Sequence, residues 1–484
     1  MKVNTIPEEP VSPESESLES EILTRPGAEG LEETSSEPED SGLAEGPDPA
    51  VLESAGAAAP TITGAELAGS ASTGHARAER ESTSPAPAAP SDEWRSPMTR
   101  LPGAVLSCEF TDSPRPAPSR PIALHYSDPS GEQWALEEGR GLVDRADLGV
   151  IAVSGTDRHS WLTSITTQII TGMGPGDSKE LLVLDPQGHI EHAAAVMDDG
   201  ETTWLICEGH DTEGLAAFLD SMRFALRVEV RICGDHTLFA SAGSDTDTAQ
   251  GLPGLLLSWA DPWPGTVEGG TEYFQGPHPG LRSRMRLHLV AREKAEEFTR
   301  AWFGADPNRR PSGLLAWEAM RIASWRPRLG WETDARSIPA ELDWLRTGVH
   351  TNKGCYRGQE SIARVINLGR PPRRLVFLQL DGSRADLPDE GTRIEWRGRV
   401  VGVITSVARH AEMGPIALAL LARNVPADIV FDLDGIAAAQ ELIVPIDGKS
   451  AISPKQRPGA ELANPQLRRH DVSPIGGLGA LGAR

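Results

Sequence analysis

One octapeptide, Lys353-Gly-Cys-Tyr-Arg-Gly-Gln-Glu360, gathers a thiol, two cations and two glycines within eight positions. Cys355 stands between Lys353 and Arg357, and nearby cations favour the thiolate, the nucleophilic and metal-binding form of cysteine. Gly354 and Gly358 permit a sharply bent backbone and the close approach of another molecule. The stretch from Gln359 to Asn367 can begin a helix, and a thiol at a helix N-terminus gains acidity. The competing reading is a small buried residue, since free cysteine is among the most buried types. Two flanking cations fit a core position poorly, so the residues favour a reactive thiol.

Three further constellations could bind or react. Between Arg321 and Glu341 stand Arg321, Trp325, Glu332 and Asp334. Trp325 either offers a stacking face to a flat heterocycle or closes the core after an amphipathic helix. Glu332 and Asp334 are either ligand carboxylates or solvated loop acids. In Gly188-His-Ile-Glu-His-Ala193, an imidazole could act as a base near neutral pH, or His189 and His192 are ordinary strand residues. Arg364, Arg370, Arg373 and Arg374 suit carboxylates, phosphates or RNA, or form a solvated link with surface ion pairs. The chain carries no P-loop, no dinucleotide glycine fingerprint and no nucleophile elbow.

These groups need elements to hold them. Ile151–Ser154 reads as a strand, followed by a helix with Trp161, Leu162, Ile165 and Ile169 on one face and Thr156 as its cap. Strands are expected over 180–184, 190–196, 203–207 and 226–232, with a turn at Asp185-Pro-Gln-Gly188 and a helix through Leu215, Phe218, Leu219 and Met222. A Gly/Pro-rich loop over 259–279 precedes a strand at 285–290 and helices at 293–303 and 314–324. Beyond Pro372, short strands at 375–380, 393–396, 400–406, 416–421 and 441–444 suggest a small barrel or sandwich. The order is α+β with hairpins, then β.

Composition bounds the partners. The net charge is −24, but residues 1–90 are rich in Glu, Ser, Pro, Ala and Gly. They carry roughly 14 of the excess negative charges. Such a segment buries too little apolar surface to fold, so 1–100 is expected to be a disordered acidic extension and 447–484 a disordered tail. The charge argues against direct nucleic-acid binding. No run reaches the ~18 apolar residues of a membrane helix, and the start has neither a secretory nor a mitochondrial leader. The four cysteines, Cys108, Cys207, Cys233 and Cys355, show no finger spacing. No permanently bound metal is expected, and a reducing cytoplasm is.

The octapeptide matches the K-G-C-Y-x-G-Q-E signature of the YgfZ family, folate-binding proteins that assist iron–sulfur enzymes. Arg326-Pro-Arg-Leu-Gly330 upstream and Ala363 to Arg374 downstream resemble that family too, and the likeness runs from about His125 to about Pro445. It implies the fold of the glycine-cleavage T-protein, an aminomethyltransferase: two interleaved α+β domains over 121–370, with the signature loop at 353–360, and a C-terminal β-barrel over 371–446. It implies tetrahydrofolate or a derivative in a central opening. Arg321, Trp325, Glu332, Tyr356, Gly358, Gln359 and Glu360 are then candidate cofactor-binding residues. Cys355 is the reactive thiol, with Lys353 and Arg357 tuning it. One thiol cannot hold a cluster that takes about four cysteine ligands, so Cys355 would be one ligand of a shared cluster or a redox-active group. The implied partners are iron–sulfur client enzymes, including radical enzymes that modify tRNA, and the implied state is a monomer. The chain departs from the aminomethyltransferases where their G-x-I-x-D-D strand ends in an aspartate pair. His192 and Ala193 stand there, which argues against methyl-group transfer and leaves a folate-dependent one-carbon transferase as the alternative.

Overall fold

The computed structural model describes residues 94–107 and 119–455. Cys108 and most of both expected tails lie outside the described residues. The described part reaches past the expected tail boundaries at both ends. Pro97–Arg100 forms a 3-10 turn capped by Ser96, with Met98 fully buried against Phe298 and Trp302. At the other end, Ser450 is buried and the Ala451 amide donates to the Glu272 carbonyl. An apolar anchor, Met98, draws the first segment onto the core, and a backbone hydrogen bond ties the last one down.

Two five-stranded sheets share the first three hundred residues. In one, the spatial order is Ser178–Leu184, Ile190–Asp198, Thr202–Cys207, Gly149–Ser154 and Glu229–Ile232, all antiparallel. The other runs Leu255–Ala260, Arg286–Ala291, His236–Ser241, Gly141–Asp144 and Arg310–Ser312, antiparallel except for the last pair. The chain enters the second sheet at Gly141–Asp144, leaves to build the whole of the first, and returns at His236. This is the interleaving that the resemblance implied. Leu181, Leu182, Val183 and Leu184 are each 0–1 % exposed, because this strand has packing on both of its faces.

The barrel follows. Its six strands run Arg393–Trp396, Arg399–His410, Gly414–Ala422, Arg373–Leu380, Ile436–Leu442 and Val430–Leu433. The two edge strands lie against one another and nearly close it. Inward alternation along Arg373–Leu380 buries Val376, Leu378 and Leu380 in the barrel, while Leu375 and Phe377 pack on the core beneath.

Several boundaries differ from the sequence reading. Arg158–Ile165 is capped at Asp157, not Thr156, and Ile169 lies beyond its end. Leu255–Ala260 is a strand that extends into the expected Gly/Pro loop. The last barrel strand is Ile436–Leu442 rather than 441–444. Its run Ile-Ala-Ala-Ala-Gln lacks the β-branched signal that marks a strand. Leu314–Ala323 forms as expected and presents Ala316, Trp317, Ala319, Met320 and Ile322 to the core, with Arg321 buried among them.

Candidate functional site: a pinned thiol loop beside a chamber of paired arginines

The signature loop is held at three points. Lys353 is buried, and its ammonium donates to the carbonyls of Thr163 and Thr166 at the end of the Arg158–Ile165 helix. Burial pushes its pKa down to about 8, so the group remains largely protonated at neutral pH. The same ammonium lies 4.7 Å from the centre of the Tyr356 ring, and Tyr356 is itself buried in the central core. Arg357 pairs with Glu191 at 2.6 Å.

Gly358 has φ +82° and caps the helix Gln359–Leu368. A Cβ there would stand 2.6 Å from the Asp185 carbonyl oxygen and 3.1 Å from the Gly188 Cα. The expected Asp185-Pro-Gln-Gly188 turn is therefore the surface on which the loop sits. Cys355 is exposed at the tip. Lys353 and Arg357 direct their hydrogen bonds to Thr163, Thr166 and Glu191, so both anchor the loop. The Gln359 side chain reaches back to the Lys353 carbonyl at 3.4 Å, and Glu360 is exposed.

A chamber of about 120 Å³ lies where the two α+β sheets meet, and no residue of the signature loop lines it. Trp259, Trp317 and Trp344 supply flat walls. Arg145, Arg321, Arg326 and Arg328 also line it, and each is matched to carboxylates. Arg145 pairs with Asp147 at 2.9 Å. Arg321 pairs with Glu318 at 2.8 Å and with Glu332 at 3.0 Å. Arg326 meets Glu180 at 2.5 Å and Asp261 at 3.0 Å, while Arg328 meets Glu208 at 2.7 Å and Glu318 at 3.2 Å.

The carboxylates respond in opposite ways. Burial pushes Asp261 up to about 6, with Arg326 opposing and Glu180 reinforcing the shift. Burial would also raise Glu318, but Arg321 and Arg328 outweigh it and hold the group down at about 2. A chamber whose cations are already paired selects a ligand by shape and hydrogen bonding more than by net charge. Trp344 lines the chamber, and its indole Nε1–H is buried with no hydrogen-bond partner among the described residues.

The expected cofactor residues divide. Arg321 lines the chamber, while Glu332 stands behind it. Glu332 is 1 % exposed and accepts from Arg321, the Arg328 amide, Thr405 and Ser406, so it ties the barrel to the chamber wall. It is not a solvated loop acid. Trp325 is a core aromatic: it is 4 % exposed, with Phe274 and His278 edge-on to it at 4.9 and 5.1 Å, and it does not line the chamber. The sheet between Ala193 and His192 separates these neighbours. Ala193 lines the chamber, whereas His192 bonds Asp211 at 2.6 Å and packs on Phe218.

The arginine cluster also divides. Arg373 is engaged by Asp334 at 2.6 Å and Glu341 at 2.9 Å, and Arg374 is fully buried in the barrel wall, donating to the Val425 carbonyl and Gln440. Only Arg364 and Arg370 of the four are exposed. Sequence reasoning missed Glu180, Asp261, Trp317 and Trp344. They lie on four separated segments and have no spacing signal; Glu180 and Asp261 both face Arg326.

No family model matches the chain. A putative chloroplastic transferase of Arabidopsis thaliana is 27% identical over 290 residues, which is 56% of this chain and 62% of that relative's own length. An aminomethyltransferase of Streptomyces coelicolor is 25% identical over 62% of this chain and 82% of its own. The tRNA-modifying protein YgfZ of Edwardsiella ictaluri is 23% identical over 61% of this chain and 88% of its own. Among solved structures, the glycine cleavage system aminomethyltransferase T of Bartonella henselae superposes with a TM-score of 0.56 at 17% identity, covering 71% of this chain and 94% of that one. That likeness shows the fold. Among the described residues no helix is long and apolar enough to cross a membrane.

Proposed function

We propose that the chain, which shares the glycine-cleavage T-protein fold and resembles YgfZ proteins, is a folate-binding accessory protein acting through Cys355 in the assembly or repair of iron–sulfur clusters in client enzymes. The observation that carries this reading is an exposed thiol on a loop pinned by Lys353, Arg357 and the Gly188–Gly358 contact. A reactive group that must meet a large partner belongs on the surface, and a fixed loop lowers the entropy lost on docking. Clients in this reading include radical enzymes that modify tRNA.

The chamber fits a tetrahydrofolate ring system. Trp259 and Trp317 present flat faces, Trp344 offers an unmet N–H, and Asp261 and Glu180 line the wall where ring N–H groups need acceptors. At about 120 Å³ it is smaller than the ~300–1,000 Å³ of pockets that enclose a whole ligand. It would take the ring and leave the glutamate tail outside. Tetrahydrofolate, when bound, supplies a one-carbon carrier. The residues of this chain would exclude water from the ring and orient it. Ala193 offers the chamber no acid or base, and His192 is not part of its lining, so the one-carbon transferase reading loses its candidate base.

Complementation of a strain lacking its YgfZ-family protein tests the proposal, with wild type and Cys355→Ala made in equal amounts and an iron–sulfur enzyme's activity as readout. Rescue by wild type alone is expected. Equal rescue by both would remove the thiol from the mechanism.

A further inference from the structure

Cys233, Asp235 and His236 form a second constellation, far from the signature loop in sequence, that cysteine spacing alone did not disclose. The chain crosses here from Glu229–Ile232, the edge strand of one sheet, to His236–Ser241, the middle strand of the other. That crossing is short and well held. The Cys233 amide donates to the Val150 carbonyl at 2.8 Å, and the Asp235 carbonyl accepts from the Arg292 amide at 2.9 Å. The His236 ring packs on Trp204 with centroids 4.9 Å apart. In this frame the Cys233 sulfur, an Asp235 carboxylate oxygen and a His236 ring nitrogen lie within 4.8 Å of one another.

A thiolate, an imidazole and a carboxylate are the donor set of a zinc site that keeps a fourth position for water. We propose that this junction binds one divalent zinc-type ion through Cys233, Asp235 and His236. The balance of the step is simple. The Cys233 S–H bond breaks and its proton leaves to solvent, a sulfur–metal bond forms, and no electron moves. Three contacts must yield: the Arg231–Asp235 ion pair at 3.3 Å, the bond between the His236 Nδ1 and Asp235 at 3.0 Å, and the Cys233 thiol's bond to the Arg231 carbonyl at 3.6 Å. Arg231 is thus a competitor for the ion. Cys233 is buried at the inner corner of the site while Asp235 is exposed at its rim, so the ion has an entry path from solvent.

Cobalt(II), added in place of zinc to the full chain under reducing conditions, tests this directly. A near-ultraviolet thiolate-to-cobalt band saturating at one equivalent is expected, displaced by zinc. Cys233→Ser should abolish the band, and His236→Asn should weaken binding at least tenfold. Arg231→Ala should strengthen it several-fold by freeing Asp235, and Cys355→Ala should leave it unchanged. Absence of the band in a folded wild-type chain overturns the proposal, as does a band that survives Cys233→Ser or vanishes with Cys355→Ala. Circular dichroism of each variant verifies that it is folded, and the Arg231→Ala gain is a signal that a merely misfolded variant would not give.

Discussion

Gly188 and Gly358 lie against one another, each with positive φ, and a side chain on either would collide with the segment that carries the other. A Cβ on Gly188 would stand 2.7 Å from the Ser361 Cβ, and one on Gly358 would stand 2.6 Å from the Asp185 carbonyl oxygen. The turn between two strands of the first sheet is thus the seat of the thiol loop. Gly358→Ala combines a steric clash with left-handed backbone strain, each on the order of 1–3 kcal/mol. Urea denaturation should show a loss of at least about 2 kcal/mol, and Cys355 should react with a thiol reagent at a rate altered from wild type. An unchanged midpoint would mean that the loop is not seated on this turn.

Arg357 and Glu191 test anchoring against tuning. Both side chains are more than a third exposed, so the pair contributes about 0.2–1 kcal/mol to stability. If Arg357 acts by holding the loop, Glu191→Gln should reproduce the effect of Arg357→Gln on the pH dependence of Cys355 alkylation. An effect of Arg357→Gln that Glu191→Gln fails to copy would return the guanidinium to the thiol.

Glu318 sets an acid limit. Its folded pKa, at about 2, lies below the ordinary 4.5 despite burial, because Arg321 and Arg328 stabilise the charged form. The stability it contributes is present above pH 4.5 and is lost as pH falls from there toward 2. The amount is on the order of 2 kcal/mol. The gap between the denaturation curves at pH 7 and pH 3 should be smaller for Glu318→Gln than for wild type. Equal pH slopes in the two proteins would refute the assignment.

Trp344 separates ligand binding from folding. Its buried indole N–H has no partner among the described residues, so Trp344→Phe should cost the free protein little beyond the lost ring volume. If a folate carbonyl accepts from this N–H, the variant should bind tetrahydrofolate about five- to tenfold more weakly, the worth of one hydrogen bond of roughly 1–1.4 kcal/mol. Calorimetric titration measures it. Equal affinity would place the ring elsewhere.

What the sequence made legible follows from how local each signal is. The strand 178–184 and the helix 314–323 announce themselves by apolar run and period, and the loop 353–360 by its composition. The fate of Trp325 was not legible. Its position after an amphipathic helix allowed a stacking face or a core contact, and only the arrival of Phe274, His278 and Phe377 from distant segments decides for the core. The same holds for Lys353 and Arg357. Adjacent charges suggested help for the thiol, but Thr163, Thr166 and Glu191, all more than 150 positions away, take those cations. The chamber was the least legible part, because Arg326 and Arg328 meet Glu180, Asp261 and Glu208 from segments that no window contains.

The interleaving of the two sheets has a consequence for how the chain is made. Gly141–Asp144 finds its antiparallel partner only at His236–Ser241 and its parallel partner only at Arg310–Ser312. At ~5–20 residues per second on the ribosome, on the order of ten to thirty seconds separate the emergence of Asp144 from that of Arg310. Through that interval the first sheet, built wholly from 149–232, can close, while Leu142 and Val143, both fully buried at the end, wait uncovered. The vulnerable moment in this protein's life is therefore its own synthesis, and the strand most exposed to mispairing is among the first to appear.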